Sequence, residues 1–582
     1  MGASRRTQTL VGAALLVTVV TLASRVVGFG RWLAQGAFLG TGGVDAPFNT
    51  ANLLPNVLFE VAAGGALAGA VVPLLAGPLS RAAFTSEGTE KSRQDASRIA
   101  SALLGWTLVV LVPLAALLAL LARPVVGLLG LDDPLLEDVA TGFLRVFAVQ
   151  VPLYGIAVVL GGVLQAHKRF FWPAFAPLLS SLVVIGVYGG FRVLAEGNAQ
   201  DVARLSGAAL DWLAWGTTAG VAFLALPLLV PVWRTGIRLR PTLRFPAGEG
   251  RRASRLAFAG VGALVAQQLS ALLVMRAANL AGPDGTFTIY LYAQQVYLLP
   301  FAVLAFPIAT SAFPRFAEHA AARRYDALHD LVARTTRTLL LVVGAGVAAL
   351  IAAAPAVEAV FNLVVDGGDA PGLAAGLSWL APGLFGYALI LHLSRALYVV
   401  DHGRAAVTAT AAGWGVVAVG AVLVPVVIGA ERPDPGSVAF ADRVPDVLAA
   451  LGAVGTAGMV VAGAGLLLAV RRHLGPGALR GTPKVLAGLA VGAAAGAVVG
   501  RAVAVALTAL VPARQVVVAA DQRPGVPFDL GAFFGAIGAA LLAGLVAAAV
   551  VLAVAVLLDR DLRTRVSSGV GRIVARTGRP PR

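Results

Sequence analysis

The stretch Ser24-Arg25-Val26-Val27-Gly28-Phe29-Gly30-Arg31 sets two arginines inside an apolar run that extends from residue 9 to residue 39. About 20 apolar residues suffice to cross a bilayer as a helix, so the run is long enough to span. A guanidinium near the centre of such a helix costs about 2.5–3.5 kcal/mol on insertion scales, and intramembrane arginines therefore face a protein interior or a water-filled cavity. Arg5 and Arg6 ahead of an apolar stretch ending in Leu22-Ala23-Ser24 resemble the outline of a signal peptide, but the apolar character resumes through Phe38, which predicts an uncleaved first helix.

The rest of the chain repeats this pattern. Of 582 residues, 58% are hydrophobic and 13% charged, none is Cys, and the mean hydropathy is +0.85. Soluble domains are nearer half apolar and a quarter charged. An ordinary soluble enzyme, a disordered chain and a disulfide-stapled secreted module are excluded on these grounds. Fourteen spans are expected, near 9–39, 46–79, 99–122, 138–166, 171–191, 209–233, 255–281, 287–314, 335–362, 371–400, 405–428, 446–470, 485–511 and 528–557. The fold class expected is an all-α integral membrane protein.

Charge orients the spans. With the N-terminus in the cytoplasm, the cytoplasmic segments hold 32 of the 45 Lys and Arg, and the external ones hold 7. That bias is a positive-inside signal with an even number of spans, so both termini are expected to be cytoplasmic. The net charge of +16 is therefore read as topology, with a contribution to anionic-lipid contact, and no nucleic-acid partner is expected.

Six arginines remain inside spans: Arg25, Arg31, Arg145, Arg276, Arg395 and Arg501. Guanidinium groups lining a wet chamber would suit an anion, and their fork matches phosphate oxygens two at a time. Arg31 and Arg276 also lie about 20 residues into their helices, where a side chain can snorkel to the outer interface, and Arg501 can do the same. Arg25 and Arg31 are six positions apart, roughly 120° around a straight helix, with Gly28 and Gly30 between them where a bend is easy. Glu60 is the deepest acid; it either pairs with an intramembrane Arg or carries a proton. Glu358 lies nearer a span end, and His392 reads as a packing histidine. The sequence contains no metal-ligand spacing, phosphate loop or Ser-His-Asp arrangement, and no cofactor is expected; a coupling ion is not readable from it.

The two halves resemble each other. Arg31 to Pro55 and Arg276 to Pro300 span the same distance at an offset of 245; Gly40-Thr41 matches Gly285-Thr286, and Leu53-Leu54-Pro55 matches Leu298-Leu299-Pro300. A looser echo sets Pro152-Leu153-Tyr154-Gly155 and Leu164 to Arg169 against Pro382 to Gly386 and Leu397-Tyr398 with Arg404. About six helices separate the copies, so both keep one orientation, as in transporters built from parallel repeats. The organisation expected is a lobe over 1–233, a basic cytoplasmic linker over 234–254, a second lobe over 255–470, an extra helix pair over 471–557 and a basic tail over 558–582.

Residues 24–31 resemble the first-helix motif of the MurJ/MviN lipid II flippases, within the multidrug/oligosaccharidyl-lipid/polysaccharide exporter superfamily. Asp45-Ala46-Pro47-Phe48, Leu54-Pro55-Asn56, Gly161 to Phe170, Pro173 to Pro177, Tyr292-Ala293, Pro300 and Pro314 continue the resemblance over roughly residues 15–410. It implies fourteen helices in two lobes around a cationic cavity, with a final extra pair. It also implies that Arg25, Arg31 and Arg276 bind a diphosphate, that Asp45 sits at the mouth of the first hairpin, and that Asn56, Glu60, Arg145 and Arg395 support or gate. The sequence departs from the family pattern at Phe59-Glu60, Gly64-Gly65 and Gln294-Gln295.

The function this implies is translocation of a lipid-linked peptidoglycan precursor across the bacterial cytoplasmic membrane by alternating access, with that lipid, membrane lipids and the cell-wall synthesis machinery as partners. Three alternatives stay open: an exporter of another polysaccharide lipid or of drugs, an intramembrane enzyme acting on a glycan lipid, and a non-transporting envelope scaffold.

Overall fold

A computed structural model describes residues 2–61, 71–75, 89–131, 133–246, 261–366, 369–428, 442–510 and 529–558. Gly64-Gly65, residues 247–254 of the expected linker and all but the first residue of the expected tail lie outside them. Every regular element among the described residues is helical. In chain order the principal helices are α1 (Gly2–Leu39), α2 (Asp45–Leu58), α3 (Thr89–Leu120), α4 (Pro134–Phe147), α5 (Gln150–Ala166), α6 (Phe171–Leu194), α7 (Gly207–Ala225), α8 (Val261–Ala281), α9 (Thr286–Pro300), α10 (Phe306–Ala321), α11 (Tyr325–Val364), α12 (Leu373–Leu380), α13 (Leu384–Tyr398), α14 (Gly403–Ile428), α15 (Val444–His473), α16 (Thr482–Thr508) and α17 (Leu530–Leu558).

Among the described residues, thirteen helical stretches are long and apolar enough to cross a membrane. They correspond to thirteen of the fourteen expected spans. The remaining one, 46–79, carries α2 and the helical residues 71–75, and its other parts fall outside the described residues. The ends follow local chemistry. The Asp133 carboxylate accepts from Leu135 N at 2.8 Å ahead of Pro134 at the first position of α4, and the Ser206 hydroxyl accepts from Ala209 N at 3.2 Å to start α7.

The chain divides into two compact units, Met1–Thr288 with Val365–Gly368, and Ile289–Val364 with Asp369–Arg582. In the first, α1 packs on α6, α6 on α7, α2 on α4 and α3 on α5. Phe48 of α2 is the anchor: its ring is fully buried and meets Phe143, Phe147 and Tyr188 edge-on at 5.9, 5.6 and 6.0 Å, the geometry favoured by aromatic quadrupoles. In the second unit, α11 packs against α16 and α17, which pack on each other, while α15 packs on α12, α13 and α14. Small residues allow these approaches. A Cβ added to Gly500 of α16 would lie 2.6 Å from Ala352 Cβ of α11 and 2.7 Å from the Ala543 carbonyl of α17.

The internal repeat is visible in the backbone. Gly40 and Gly285, matched at the offset of 245, both adopt left-handed φ, +75° and +88°. Pro55 is followed by a π-helical turn at 59–61, and Pro300 by a π-helical segment, Phe301–Ala305. A proline removes one helical hydrogen bond and crowds the preceding turn, and a wider turn relieves that crowding. The looser echo has a counterpart too. Lys168 and Asp401 sit at φ +59° and +61°, and Arg169 N and His402 N each reach back to the carbonyl of Leu164 and Leu397 at 2.9 Å. Both are helix ends closed by the same left-handed cap.

Candidate functional site

The first unit holds a polar site built on α1, α2, α5 and α6. Arg31 is half-buried on α1, with its guanidinium carbon 5.5 Å from the Trp32 ring centroid. Its charge reaches the hydroxyls of Tyr154 on α5 and Tyr188 on α6. Tyr154 Oη donates to Asn56 Oδ1 at 3.0 Å, and Asn56 Nδ2 donates to the Asn52 carbonyl at 2.8 Å. The Phe59 ring lies 4.6 Å from the Tyr154 ring, and the neighbouring Glu60, exposed in the π-helical turn, acts electrostatically on the same tyrosine. Tyr154 thus bonds Asn56 and feels the charges of Arg31 and Glu60, all three expected as site residues.

A chain of side-chain bonds leads from this site toward the end of the unit where α2 begins. Tyr188 Oη donates to Gln35 Oε1 at 3.4 Å, Gln35 Nε2 to Asn49 Oδ1 at 3.0 Å, and Asn49 Nδ2 to Thr288 Oγ1 at 2.8 Å. Each of these is a polar group satisfied inside an apolar helix bundle. Asp45, at the first residue of α2 and one position ahead of the expected second span, is fully buried beside them. Its Oδ1 accepts from Gly43 N at 2.8 Å. Burial pushes its carboxyl up to about 7, the charge of Asp284 adds to that rise, and the bonds from Thr288 and Gly43 oppose it.

The raised value has a sign. Between the ordinary carboxylate range and about 7, the folded chain holds a proton on Asp45 that the unfolded chain has released, so stability falls as pH rises through that window. Asp45→Asn removes this dependence. The melting temperature of the variant relative to that of the native chain is expected to be higher at pH 8 than at pH 5, because most of the window lies between those two values. Equal differences at the two pH values would contradict the buried, proton-holding carboxyl.

Arg276, on α8, is exposed, and its Nε donates to the Leu128 carbonyl at 2.9 Å. Asn279, one turn on, donates to the Leu129 carbonyl at 3.0 Å. Together they hold the end of the short helix Ala122–Gly127, whose last carbonyls attract cations. Arg25 is exposed on α1, which runs unbroken through Gly28 and Gly30, and Arg145 is exposed in the last turn of α4. Arg395 belongs to the second unit, half-buried with its guanidinium carbon 5.6 Å from the Phe313 ring centroid. There His392 is buried, hydrogen-bonded to Thr335 Oγ1 at 3.0 Å and edge-on to Phe316, the packing arrangement expected for it. Arg501 is exposed and donates to Ser378 Oγ at 3.3 Å.

Tyr154, Tyr188 and Gln35 were not among the residues singled out from sequence. Gln35 had a signal, since it lies one turn after Arg31 and shares its helix face. Tyr154 stood inside the quoted Pro152 to Gly155 echo. Tyr188 carried none, being one aromatic in an apolar span.

The family model for the lipid II flippase MurJ matches residues 36–431. The chain belongs to the MurJ family. A probable lipid II flippase MurJ of Rhizobium meliloti (strain 1021) is 28% identical over 352 residues, 59% of this chain and 61% of that protein. One from Rhizobium tropici is 26% identical over 314 residues, 53% of this chain and 55% of that protein. The match thus spans less than two thirds of either relative. The lipid II flippase MurJ of Burkholderia cenocepacia is 27% identical over 398 residues, 66% of this chain and 72% of that protein. Among solved structures, a lipid II flippase MurJ in an inward closed conformation superposes with a TM-score of 0.64 at 15% identity, covering 94% of this chain and 99% of that one. An inward-facing multidrug resistance MATE family transporter of the MOP superfamily gives 0.56 at 15% identity, covering 79% and 98%. At such identities the likeness is one of fold. The MurJ match takes in Asp45, Asn56, Glu60, Tyr154, Tyr188 and Arg276, whereas Arg25 and Arg31 precede its first residue.

Proposed function

We propose that this chain is a transporter, not an enzyme: a flippase that carries a lipid-linked peptidoglycan precursor, lipid II, from the inner to the outer leaflet of the bacterial cytoplasmic membrane. The observation that carries the reading is Arg31, a half-buried cation within a span that lies by the Trp32 ring and whose charge acts on Tyr154 and Tyr188. The diphosphate and glycan of such a lipid are too polar to cross hydrocarbon unaided. A guanidinium sheltered from bulk water grips a diphosphate through charge-assisted bonds, and Asn56 and Tyr154 beside it offer hydrogen bonds to sugar hydroxyls. In this reading Arg25 and Arg276 join Arg31 in holding the diphosphate, while Asp45, Asn56, Glu60, Arg145 and Arg395 support or gate the path. Basic rather than acidic site residues favour an anionic lipid over a cationic drug.

The two repeats, taken as lobes 1–233 and 255–470 joined by the linker 234–254, would rock to expose the head group on alternate sides, with the pair 471–557 outside the repeat. The membrane potential can drive moving charges, at about 2.3 kcal/mol per elementary charge per 100 mV. No cofactor enters this scheme. Both termini are placed in the cytoplasm, and enzymes of cell-wall synthesis are the protein partners it would serve.

The test is rescue of a bacterium whose own lipid II flippase can be switched off. Expression of this chain is expected to restore growth and normal cell shape. Lysis despite membrane insertion of the chain at normal levels would contradict the reading.

A further inference from the structure

After the helical turn Leu229–Trp233 the chain reverses at Gly236, φ +83°, and residues 237–245 run extended beside α3. The backbone of this strap is held by the helix. Arg238 N donates to Ser97 Oγ at 3.3 Å, Ser101 Oγ donates to the Arg238 carbonyl at 3.3 Å, Arg240 N donates to Ser101 Oγ at 3.0 Å, and Thr242 N donates to the Ser101 carbonyl at 3.3 Å. Further along, Trp106 Nε1 donates to the Leu243 carbonyl at 3.1 Å. Gly105 is needed for the approach, since a Cβ there would lie 2.8 Å from Thr242 N. Contacts from Ser97 to Trp106 correspond to about 13 Å along the helix axis, all inside the apolar stretch Gln94–Leu120.

Side chains alternate along the strap. Ile237, Leu239 and Phe245 pack on the core formed with Leu103, Leu104 and Leu228. Arg238, Arg240 and Arg244 are exposed, as is Arg234 just before them, and none is in an ion pair among the described residues. Apolar surface lies beside these cations: Trp233 is 75% exposed, Leu243 48% and Trp106 44%. Irregular backbone does not face hydrocarbon, and tryptophans gather at the level of lipid head groups. The strap thus belongs at the inner-leaflet interface, on the side where the basic loops collect.

We propose that this strap is a binding site for the phosphate groups of anionic phospholipids of the inner leaflet. The arginine forks take the phosphates, and Trp106, Trp233 and Leu243 lie against the first acyl carbons. A phospholipid fits better than a soluble anion because it alone offers both chemistries. Binding here is independent of the transported substrate and of residues Arg31, Asn56 and Glu60.

The experiment is native mass spectrometry of the full-length chain in detergent, with phosphatidylglycerol and phosphatidylcholine titrated separately. The native chain is expected to retain phosphatidylglycerol preferentially, and the preference is expected to weaken with salt. In the triple variant Arg238→Gln, Arg240→Gln, Arg244→Gln, the first phosphatidylglycerol step is expected to weaken about tenfold or more, since each basic residue near an anionic surface is worth about fivefold. The triple Lys variant is expected to keep most of the preference. Unchanged phosphatidylglycerol retention in the Gln variant would overturn the proposal. So would loss of the preference when inorganic pyrophosphate is added, which would make the strap a site for soluble diphosphate anions. Because the three side chains are exposed, melting in phosphatidylcholine is expected to be unchanged; should the Gln variant not fold, a salt-insensitive preference in the native chain would overturn the proposal by itself.

Discussion

Arg31→Ala is expected to abolish rescue of a flippase-depleted bacterium while leaving the chain folded and in the membrane. The substitution removes the cation whose charge reaches Tyr154 and Tyr188, and a diphosphate held there would lose its charge-assisted bonds. Truncating one partner of a sheltered, hydrogen-bonded charge pair costs about 2–5 kcal/mol, roughly 30-fold or more in binding. Arg31→Lys keeps the charge but not the planar fork, so partial rescue is expected. Transport of labelled lipid II in proteoliposomes separates the two variants quantitatively, and immunoblots with melting curves control for amount and folding. Full rescue by Arg31→Ala at native levels would remove Arg31 from the site and leave the flippase reading without its main support.

Gly500→Leu is expected to disrupt the second unit. An added Cβ already falls 2.6 Å from Ala352 Cβ and 2.9 Å from Ala547 Cβ, and three more carbons have nowhere to go without moving α17 or α11. Overpacking of this kind costs about 1–3 kcal/mol and sometimes more. Gly415→Leu on α14 is the comparison, because a Cβ at Gly415 meets nothing within 4 Å. Melting curves of the purified chain should fall clearly for Gly500→Leu and barely for Gly415→Leu. Equal shifts would mean that the final helix pair is not seated through this contact.

The spans were legible from sequence because lipid allows only one answer to a run of 20 apolar residues, a helix that satisfies its own backbone. The repeat was legible where proline and glycine marked it, at Pro55 and Pro300 and at Gly40 and Gly285. The site was legible at its charged members and, through the family resemblance, at Asn56. Arg31 and Glu60 announce themselves by their cost in a span, but Tyr154 and Tyr188 do not, since an aromatic ring in an apolar helix reads as packing until a partner for its hydroxyl is seen. Periodicity gave no help with the bond from Asn49 to Thr288, which joins residues 239 apart in the chain. The strap was hidden for a different reason. Its arginines counted as an ordinary cytoplasmic loop, and nothing in Ser97, Ser101 or Gly105 says that an extended segment lies against them. Arg276 stood out by its place inside a span and by the family resemblance; the bond from its Nε to the Leu128 carbonyl, between residues 148 apart, carried no sequence signal.

The wide turns that follow Pro55 and Pro300 have a bearing on how this chain can change over time. A π-helical turn accommodates one residue more than the α-helical turn it replaces. Removing that surplus residue would restore a regular ladder and leave the helix beyond it in register, whereas a deletion in the regular helix that follows would turn its residues by about 100° about the axis and carry Ala309, Ala312 and Phe316 away from the interior they now occupy. Single-residue deletions between 301 and 305 should therefore be better tolerated than deletions in the helix that follows, and an aligned chain lacking one residue in this window keeps the same downstream helix face.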